Sequence, residues 1–206
     1  MNPTKLTPEQ IAKLVQSTQA GQREAFGEIY DEFITPIYRY IFYRVERSEV
    51  EDLTEQVFLQ ALQKIKKYQP QKNVPFAAWL FRIAHNLIID HYRLHSRFTI
   101  TTITEDLISE KQEDDPVQNT EQKFAQTALA QAIRKLPASQ QQVIVLKFIN
   151  EFTNSEIAKV LAKKESAVRL IQFRALKNLR HLLKSQKRNK IASFTFKKLL
   201  NKPLYA

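Results

Sequence analysis

The sequence predicts an all-α protein of two small helical domains, an N-terminal helical bundle and a C-terminal helix-turn-helix domain, joined by a flexible acidic linker. Three observations carry this. First, the 206 residues include only two glycines, Gly21 and Gly27, where ordinary usage gives roughly fourteen. The Gly-dependent hairpin turns of most all-β folds are thereby excluded. Second, apolar residues recur at intervals of three and four, the spacing of one helix face. Third, the formal charge of +11 is unevenly laid out. Residues 1–98 carry 13 basic and 11 acidic side chains; residues 99–122 carry Lys111 against seven acids. Residues 123–183 carry 11 basic and three acidic side chains, and residues 184–206 carry seven basic and none acidic. This reads as a near-neutral domain (22–98) behind an N-terminal extension helix (1–21), an acidic linker (99–122), a basic domain (123–183) and a basic tail (184–206).

The elements follow in order. Thr7-Pro8-Glu9 has the form of an N-cap followed by Pro at the first helical position, and Gly21 closes that helix. Phe26, Ile29, Tyr30, Phe33, Ile37, Tyr40 and Ile41 then step along one face, with a break expected near Thr35 because Pro36 interrupts the run. Ser48-Glu49-Val50-Glu51 has the pattern of a capping box. It opens a helix expected to bury Leu53, Val57, Phe58, Ala61, Leu62 and Ile65. Residues 67–74 are polar and hold Pro70, a loop. Pro75 starts the next helix, which buries Trp79, Leu80, Ile83, Leu87 and Ile88 and fades after Arg97. Helical spacing returns with Phe124, Ala128, Ala132 and Ile133. Leu136-Pro137 punctuates it, and Val143, Ile144, Leu146 and Phe148 form a further buried face.

Composition excludes several functions. There is no Cys, hence no disulfide scaffold, thiolate metal site or cysteine nucleophile. Gly-rich phosphate loops are absent, and no Ser-His-Asp order or His-Glu-x-x-His motif occurs. His91 and His95 would share a helix face, but no third metal ligand stands at a suitable spacing. The expectation is a non-enzyme with no cofactor and no metal. No apolar run approaches the length of a membrane span, and the N-terminus lacks the pattern of a signal peptide. A cytoplasmic protein without stable membrane insertion is expected, its excess positive charge pointing to a polyanion.

Three segments carry candidate chemistry. In 152–183, Thr153-Asn154-Ser155-Glu156 is a capping box, and Ile157, Ala158 and Leu161 face inward. After a turn at 162–165, Val168, Ile171, Ala175 and Leu179 mark one face of a second, basic helix. A helix-turn-helix needs this arrangement, because the second helix enters the major groove. Lys164, Glu165, Ser166, Arg169, Gln172 and Phe173 are the expected exposed positions near its start, with Lys177 further along. Arg and Gln can contact base edges, and Lys phosphate. A packed helical hairpin with a solvated basic face has the same spacing.

In 67–97, Tyr68, Asn73, Phe76, Trp79, Arg82, His85, Asn86 and Arg93 mix aromatic, amide and basic groups that suit unpaired bases. Core packing accounts for part of that aromatic content. At the start of the 48–66 helix, Glu49, Glu51, Asp52 and Glu55 are favoured by the helix dipole at about 0.3–1 kcal/mol each. A docking face for a basic partner would use the same residues.

These segments together resemble a known family. VEDLTEQVF at 50–58 resembles the acidic polymerase-docking segment of extracytoplasmic-function sigma factors, the small two-domain alternative sigma factors of bacterial RNA polymerase in the sigma-70 superfamily. VPFAAWLFRIAHNLIIDHYR at 74–93 resembles the family's promoter-melting segment, matching it at Phe76, Trp79, Leu80, Ile83, Ala84, Asn86, Asp90 and Arg93. The stretch from Leu136 to Arg180 resembles its helix-turn-helix, with anchors at Leu136, Pro137, Leu146, Glu156, Ile157, Ala158, Leu161, Val168, Arg174, Ala175 and Leu179. The family's Gln-Glu pair is swapped here as Glu55-Gln56. Its turn Gly is Ala162, and the Ser that caps its recognition helix is Lys164, which passes capping to Ser166 or leaves it to a DNA phosphate.

The resemblance implies a promoter-specificity subunit whose partners are core RNA polymerase (the beta-prime clamp and the beta flap), promoter DNA and an anti-sigma factor. It implies polymerase docking through Glu51, Asp52, Glu55 and Gln56. It implies −10 contacts from Tyr68, Asn73, Phe76, Arg82, His85, Asn86 and Arg93. The −35 contacts would come from Lys164, Glu165, Ser166, Arg169, Gln172, Phe173 and Lys177. The linker would thread the basic RNA-exit region. A free-standing helix-turn-helix regulator, binding duplex DNA without polymerase, is the alternative.

Overall fold

The structure, a computed structural model, describes residues 6–70, 74–99 and 120–185, with side-chain surroundings excluding 95–99, 120–125 and 184–185. Every regular element among them is a helix: α1 (Pro8–Gln19), α2 (Arg23–Phe42), a 3-10 turn (Arg47–Glu49), α3 (Val50–Ile65), α4 (Phe76–Thr99), α5 (Thr120–Arg134), α6 (Ala138–Ile144), which runs on through a wider π-type turn (Val145–Ile149), α7 (Asn154–Val160) and α8 (Glu165–Ser185). The acidic linker and the basic tail fall outside the described residues, save for the ends they share with α4, α5 and α8, as does Asn73.

Local chemistry sets most boundaries. The Gln10 N–H donates to the Thr7 hydroxyl at 3.3 Å, and the Thr7 N–H donates to the Gln10 side chain at 2.8 Å. This reciprocal cap satisfies two orphan donors at the start of α1. Past its end, Gly21 takes φ 101, a left-handed conformation open to glycine. Two expectations fail at the next elements. α2 runs unbroken through Pro36, which is buried inside it. The missing N–H removes one bond, and packing on the core holds the helix through the gap. Ser48 forms no capping box, since α3 has Glu49 at its N-cap position without a side-chain cap. The 3-10 turn leads into α3 instead, with the Glu49 N–H donating to the Glu46 carbonyl at 3.1 Å and the Val50 N–H to that of Arg47.

α1 to α4 form the N-terminal bundle around Phe33, Ile37, Val57, Ala61, Leu80 and Ile88, all fully buried. Leu62, expected inside, is 45% exposed; it lies one helical step off the buried Phe58–Ala61–Ile65 stripe. Trp79 and Leu87 are only half-buried, while Phe81, not foreseen, is fully buried. Arg44 is buried as well, at 1% exposure. It donates to the Tyr40 hydroxyl at 2.5 Å, lies 4.9 Å from the centre of that ring, and its carbonyl accepts from the Tyr92 hydroxyl. A buried charge is tolerable when hydrogen bonds and a ring face replace water.

α5 to α8 form the second bundle, with Ile133, Val143, Leu146, Ile157, Val168 and Ala175 inside. The two bundles also pack on each other. The buried Asn150 amide donates to the Pro36 carbonyl at 2.8 Å. The Phe81 and Phe152 rings meet edge to face at 4.8 Å. Arg82 donates to the Lys159 carbonyl, and Arg134 pairs with Glu46 at 2.9 Å. Buried residues of both halves consequently form one connected cluster.

Candidate nucleic-acid interface

Three faces hold the sequence-predicted residues. On α3, Glu51, Asp52, Glu55 and Gln56 are all exposed, in two i, i+4 pairs on one side of the helix. Leu59 at 58% and Leu62 at 45% exposure extend this face. Acidic groups at the helix start followed by bare leucines make a surface for a partner with basic and apolar patches, and the sequence pattern conceals it by placing Leu62 in the core.

The second face lies at the start of α4. Tyr68 follows α3, and its ring sits 4.9 Å from that of Trp79 and 5.3 Å from that of Phe76. Phe76 in turn packs 5.8 Å from Phe33. Phe76 is buried at 7% exposure, so it backs the cluster from the core. Tyr68, Trp79, Lys67, Gln69, Val74 and Arg82 line a cavity of about 300 Å3. Three of these, Lys67, Gln69 and Val74, lie outside the contacts that the sequence predicts. Trp79 has the spacing of a buried stripe as well, and in the structure it is half-buried with one side on the slot. An open slot walled by rings with cations at its rim suits a flat, anionic-backbone ligand such as an unpaired nucleotide.

Arg82, Asn86 and Arg93 are exposed along α4, and Arg93 pairs with Asp90 at 3.6 Å. His85 is half-buried where the two bundles meet. Burial, and then the charges of Arg44, Lys163 and Arg82, hold its imidazole at a pKa of about 4, so it is neutral at pH 7. Lys163 belongs to the second half, and Arg82 bonds a carbonyl of α7. Arg82 is thus engaged by the second bundle, and His85 lies within the field of its Lys163. His91 faces Glu49 at 3.9 Å, and no group of metal-ligating side chains occurs among the described residues.

The third face is the α7–turn–α8 unit. The Thr153 cap forms as its spacing predicts: the Glu156 N–H donates to the Thr153 hydroxyl at 3.2 Å, and the Glu156 carboxylate accepts the Thr153 N–H at 2.8 Å. Ala162, where the family pattern has Gly, takes φ 51. Its left-handed conformation reverses the chain and lets the Lys163 N–H reach the Ala158 carbonyl at 2.9 Å. Lys164 stands at the cap position of α8, and its carbonyl accepts from Ala167 at 3.0 Å and Val168 at 3.2 Å. Ser166 lies inside α8, past the cap. Lys164, Ser166, Arg169, Phe173 and Lys177 are exposed, Phe173 at 70%. Glu165 is half-exposed and bonds Arg169 at 2.7 Å. Gln172 departs from the expected exposure. It is buried at 7%, because it falls next to the Val168–Ala175 stripe.

Comparison with known proteins places the chain in a family. Residues 29–98 match the family described as Sigma-70 region 2, and residues 132–181 match Sigma-70, region 4. The ECF RNA polymerase sigma factor BldN of Streptomyces coelicolor is 37% identical over 175 residues, 84% of this chain and 66% of that protein. The RNA polymerase sigma factor YlaC of Bacillus subtilis is 26% identical over 82% of this chain and 98% of its own length. In fold, the chain is similar to CnrH, solved in complex with the cytosolic domain of CnrY, with a TM-score of 0.65 at 23% identity over 87% of this chain and 99% of that one. It is also similar to the sigma factor RpoE of Bartonella quintana, solved with the anti-sigma factor NepR, with a TM-score of 0.58 at 20% identity over 76% of this chain and 97% of that one. A promoter-recognising, DNA-binding sigma factor is the class that the two helical units define. The chain belongs to the sigma-70 family, in its extracytoplasmic-function group.

Proposed function

We propose that the chain divides promoter recognition between its halves. The α3 face (Glu51, Asp52, Glu55, Gln56) docks on core RNA polymerase at the beta-prime clamp. The cavity at the start of α4 takes an unpaired base of the −10 element, with Tyr68 and Trp79 as its walls and Phe76 as its backing. Asn73, Arg82, His85, Asn86 and Arg93 hold the neighbouring strand. The second half reads the −35 element as duplex and meets the beta flap. Lys164, Ser166 and Lys177 serve phosphate, and Arg169, Glu165 and Phe173 serve bases and sugars, with the buried Gln172 packed behind them. The acidic linker, residues 99–122, threads the basic RNA-exit region. The basic tail, residues 184–206, adds nonspecific DNA affinity with a steep salt dependence.

The observation that carries this reading is the open slot walled by Tyr68 and Trp79 with Arg82 at its rim, at one end of a chain whose other end is a basic helix-turn-helix. No step needs covalent chemistry: binding energy offsets unstacking, a few kcal/mol per step, so the chain is not an enzyme and needs no cofactor. No helix among the described residues is long and apolar enough to cross a membrane, and we place the protein in the cytoplasm with the polymerase. CnrH and RpoE are each solved with a bound partner, CnrY and the anti-sigma factor NepR. By likeness, an anti-sigma factor holds this chain inactive. Arg82 is shared with the Lys159 carbonyl of the second bundle, so it leaves that bond when it holds the −10 strand.

A gel shift with promoter duplex tests the reading. The chain alone binds weakly, and the chain with core polymerase binds specifically. Tight palindromic binding by the chain alone would favour the free-standing regulator instead.

A further inference from the structure

α1 precedes the residues that match the sigma-70 family, which begin at residue 29. It is nonetheless a packed element, with Ile11 and Val15 buried. Its last residue, Gln19, reaches across to the end of α3. The Gln19 Nε2 amide donates to the Ile65 carbonyl at 2.8 Å and to the Tyr68 carbonyl at 2.7 Å. The Ile65 carbonyl also accepts the Tyr68 N–H at 3.0 Å. Carbonyls at a helix C-terminus lack intrahelical partners. Here one side-chain nitrogen supplies them at two points three residues apart, which fixes the turn from Ile65 to Tyr68. Tyr68 leaves that turn with its ring tilted against that of Trp79, and both rings line the candidate −10 cavity.

We propose that Gln19 is a positioning residue for the −10 cavity: it sets the Tyr68 wall against which an unpaired promoter base stacks. This rests on the promoter reading above. Gln19→Glu tests it best, because it keeps the size of the side chain and removes both donors, setting a carboxylate against two carbonyl oxygens. Gln19→Lys restores N–H donors, and a cation is favoured at a helix C-terminus.

The full chain is assembled with core polymerase, and promoter opening is read from 2-aminopurine placed in the −10 element. Core affinity is measured in parallel. Trp79, the chain's one tryptophan, reports the cavity wall by its emission without DNA. Gln19→Glu is expected to lower open-complex formation about tenfold, as two lost hydrogen bonds allow, with core affinity unchanged. Trp79 emission shifts with it, and Gln19→Lys returns both readouts most of the way. Opening equal to the unsubstituted chain, a parallel loss of core affinity, or no recovery in Gln19→Lys would overturn the proposal. If the unsubstituted chain opens no promoter, the promoter reading fails on its own. Trp79 emission then decides the role of Gln19 at the wall, and an unchanged spectrum in Gln19→Glu overturns it.

Discussion

The two halves are built from the same kind of helix and differ in charge, so that in the proposed function they meet nucleic acid by different means. Residues 1–98 are nearly balanced in charge and concentrate rings around one cavity, whereas residues 123–183 carry 11 basic against three acidic side chains on a compact helix-turn-helix. The first half must gain its hold from stacking and shape, because it has little net field. The second can attract duplex at a distance and let a few side chains sort the sequence. One device is common to both. Gln19 and Gln141 each use a single side-chain nitrogen to bridge two carbonyls at a helix end, Gln141 bonding those of Arg134 and Leu136 at 2.8 Å each. At these two ends a side-chain amide takes up carbonyls left open by the helix.

The sharpest break of the comparison is between two phenylalanines. Phe81 is fully buried where the halves meet, between Tyr40 and Phe152, and Phe173 is 70% exposed on α8. In denaturant unfolding, Phe81→Ala should cost about 3–5 kcal/mol, while Phe173→Ala should stay within about 0.5 kcal/mol. Next in size is the contrast in binding physics. Trp79→Ala should weaken holoenzyme binding to an unpaired −10 strand by about 1–3 kcal/mol and leave the salt dependence unchanged. Lys164→Ala should weaken −35 duplex binding and lower its logarithmic salt slope by about 0.9. Fluorescence anisotropy over a salt series separates the two.

Ala162→Gly comes third. At φ 51 the Cβ carries a steric cost of about 1–2 kcal/mol, part of which glycine returns as backbone entropy. The substitution should raise the stability of the second half by about 1 kcal/mol in the same unfolding experiment. A further contrast concerns pH. His85 has its folded pKa lowered to about 4, chiefly by burial, from an ordinary 6.5. As pH falls below 6.5 the unfolded chain takes the proton first. The stability that the neutral imidazole contributes is therefore complete above pH 6.5, and it declines as pH falls toward 4. His85→Gln should flatten that decline, as followed by thermal unfolding at several pH values. Lys163→Gln should raise the His85 pKa in an NMR titration, because one of the charges holding it down comes from the other half.

The sequence makes legible those features that local chemistry decides. The caps at Thr7 and Thr153, the end of α1 at Gly21, the turn at Ala162 and the inward stripe of α8 all rest on neighbours within four residues. What it conceals depends on distant partners. Pro36 reads as a break, but the surrounding core carries α2 through it, and its carbonyl is used by Asn150, 114 residues away. Ser48 reads as a cap, yet a 3-10 turn feeds α3 without one. Leu62 and Gln172 change sides because each sits at the edge of a stripe, where one helical step separates core from solvent. At the candidate site the residue types were legible and the engagements were not: no local pattern signals that Arg82 bonds the Lys159 carbonyl, or that Gln19 ties down Tyr68.

The division of labour is tested most directly by mapping transcript starts from core RNA polymerase on genomic DNA, with and without this chain. A discrete new set of starts that share −10 and −35 sequences is expected with the chain. These starts should be lost when Trp79 is replaced by Ala and when Arg169 is. The same starts with and without the chain would contradict that division of labour.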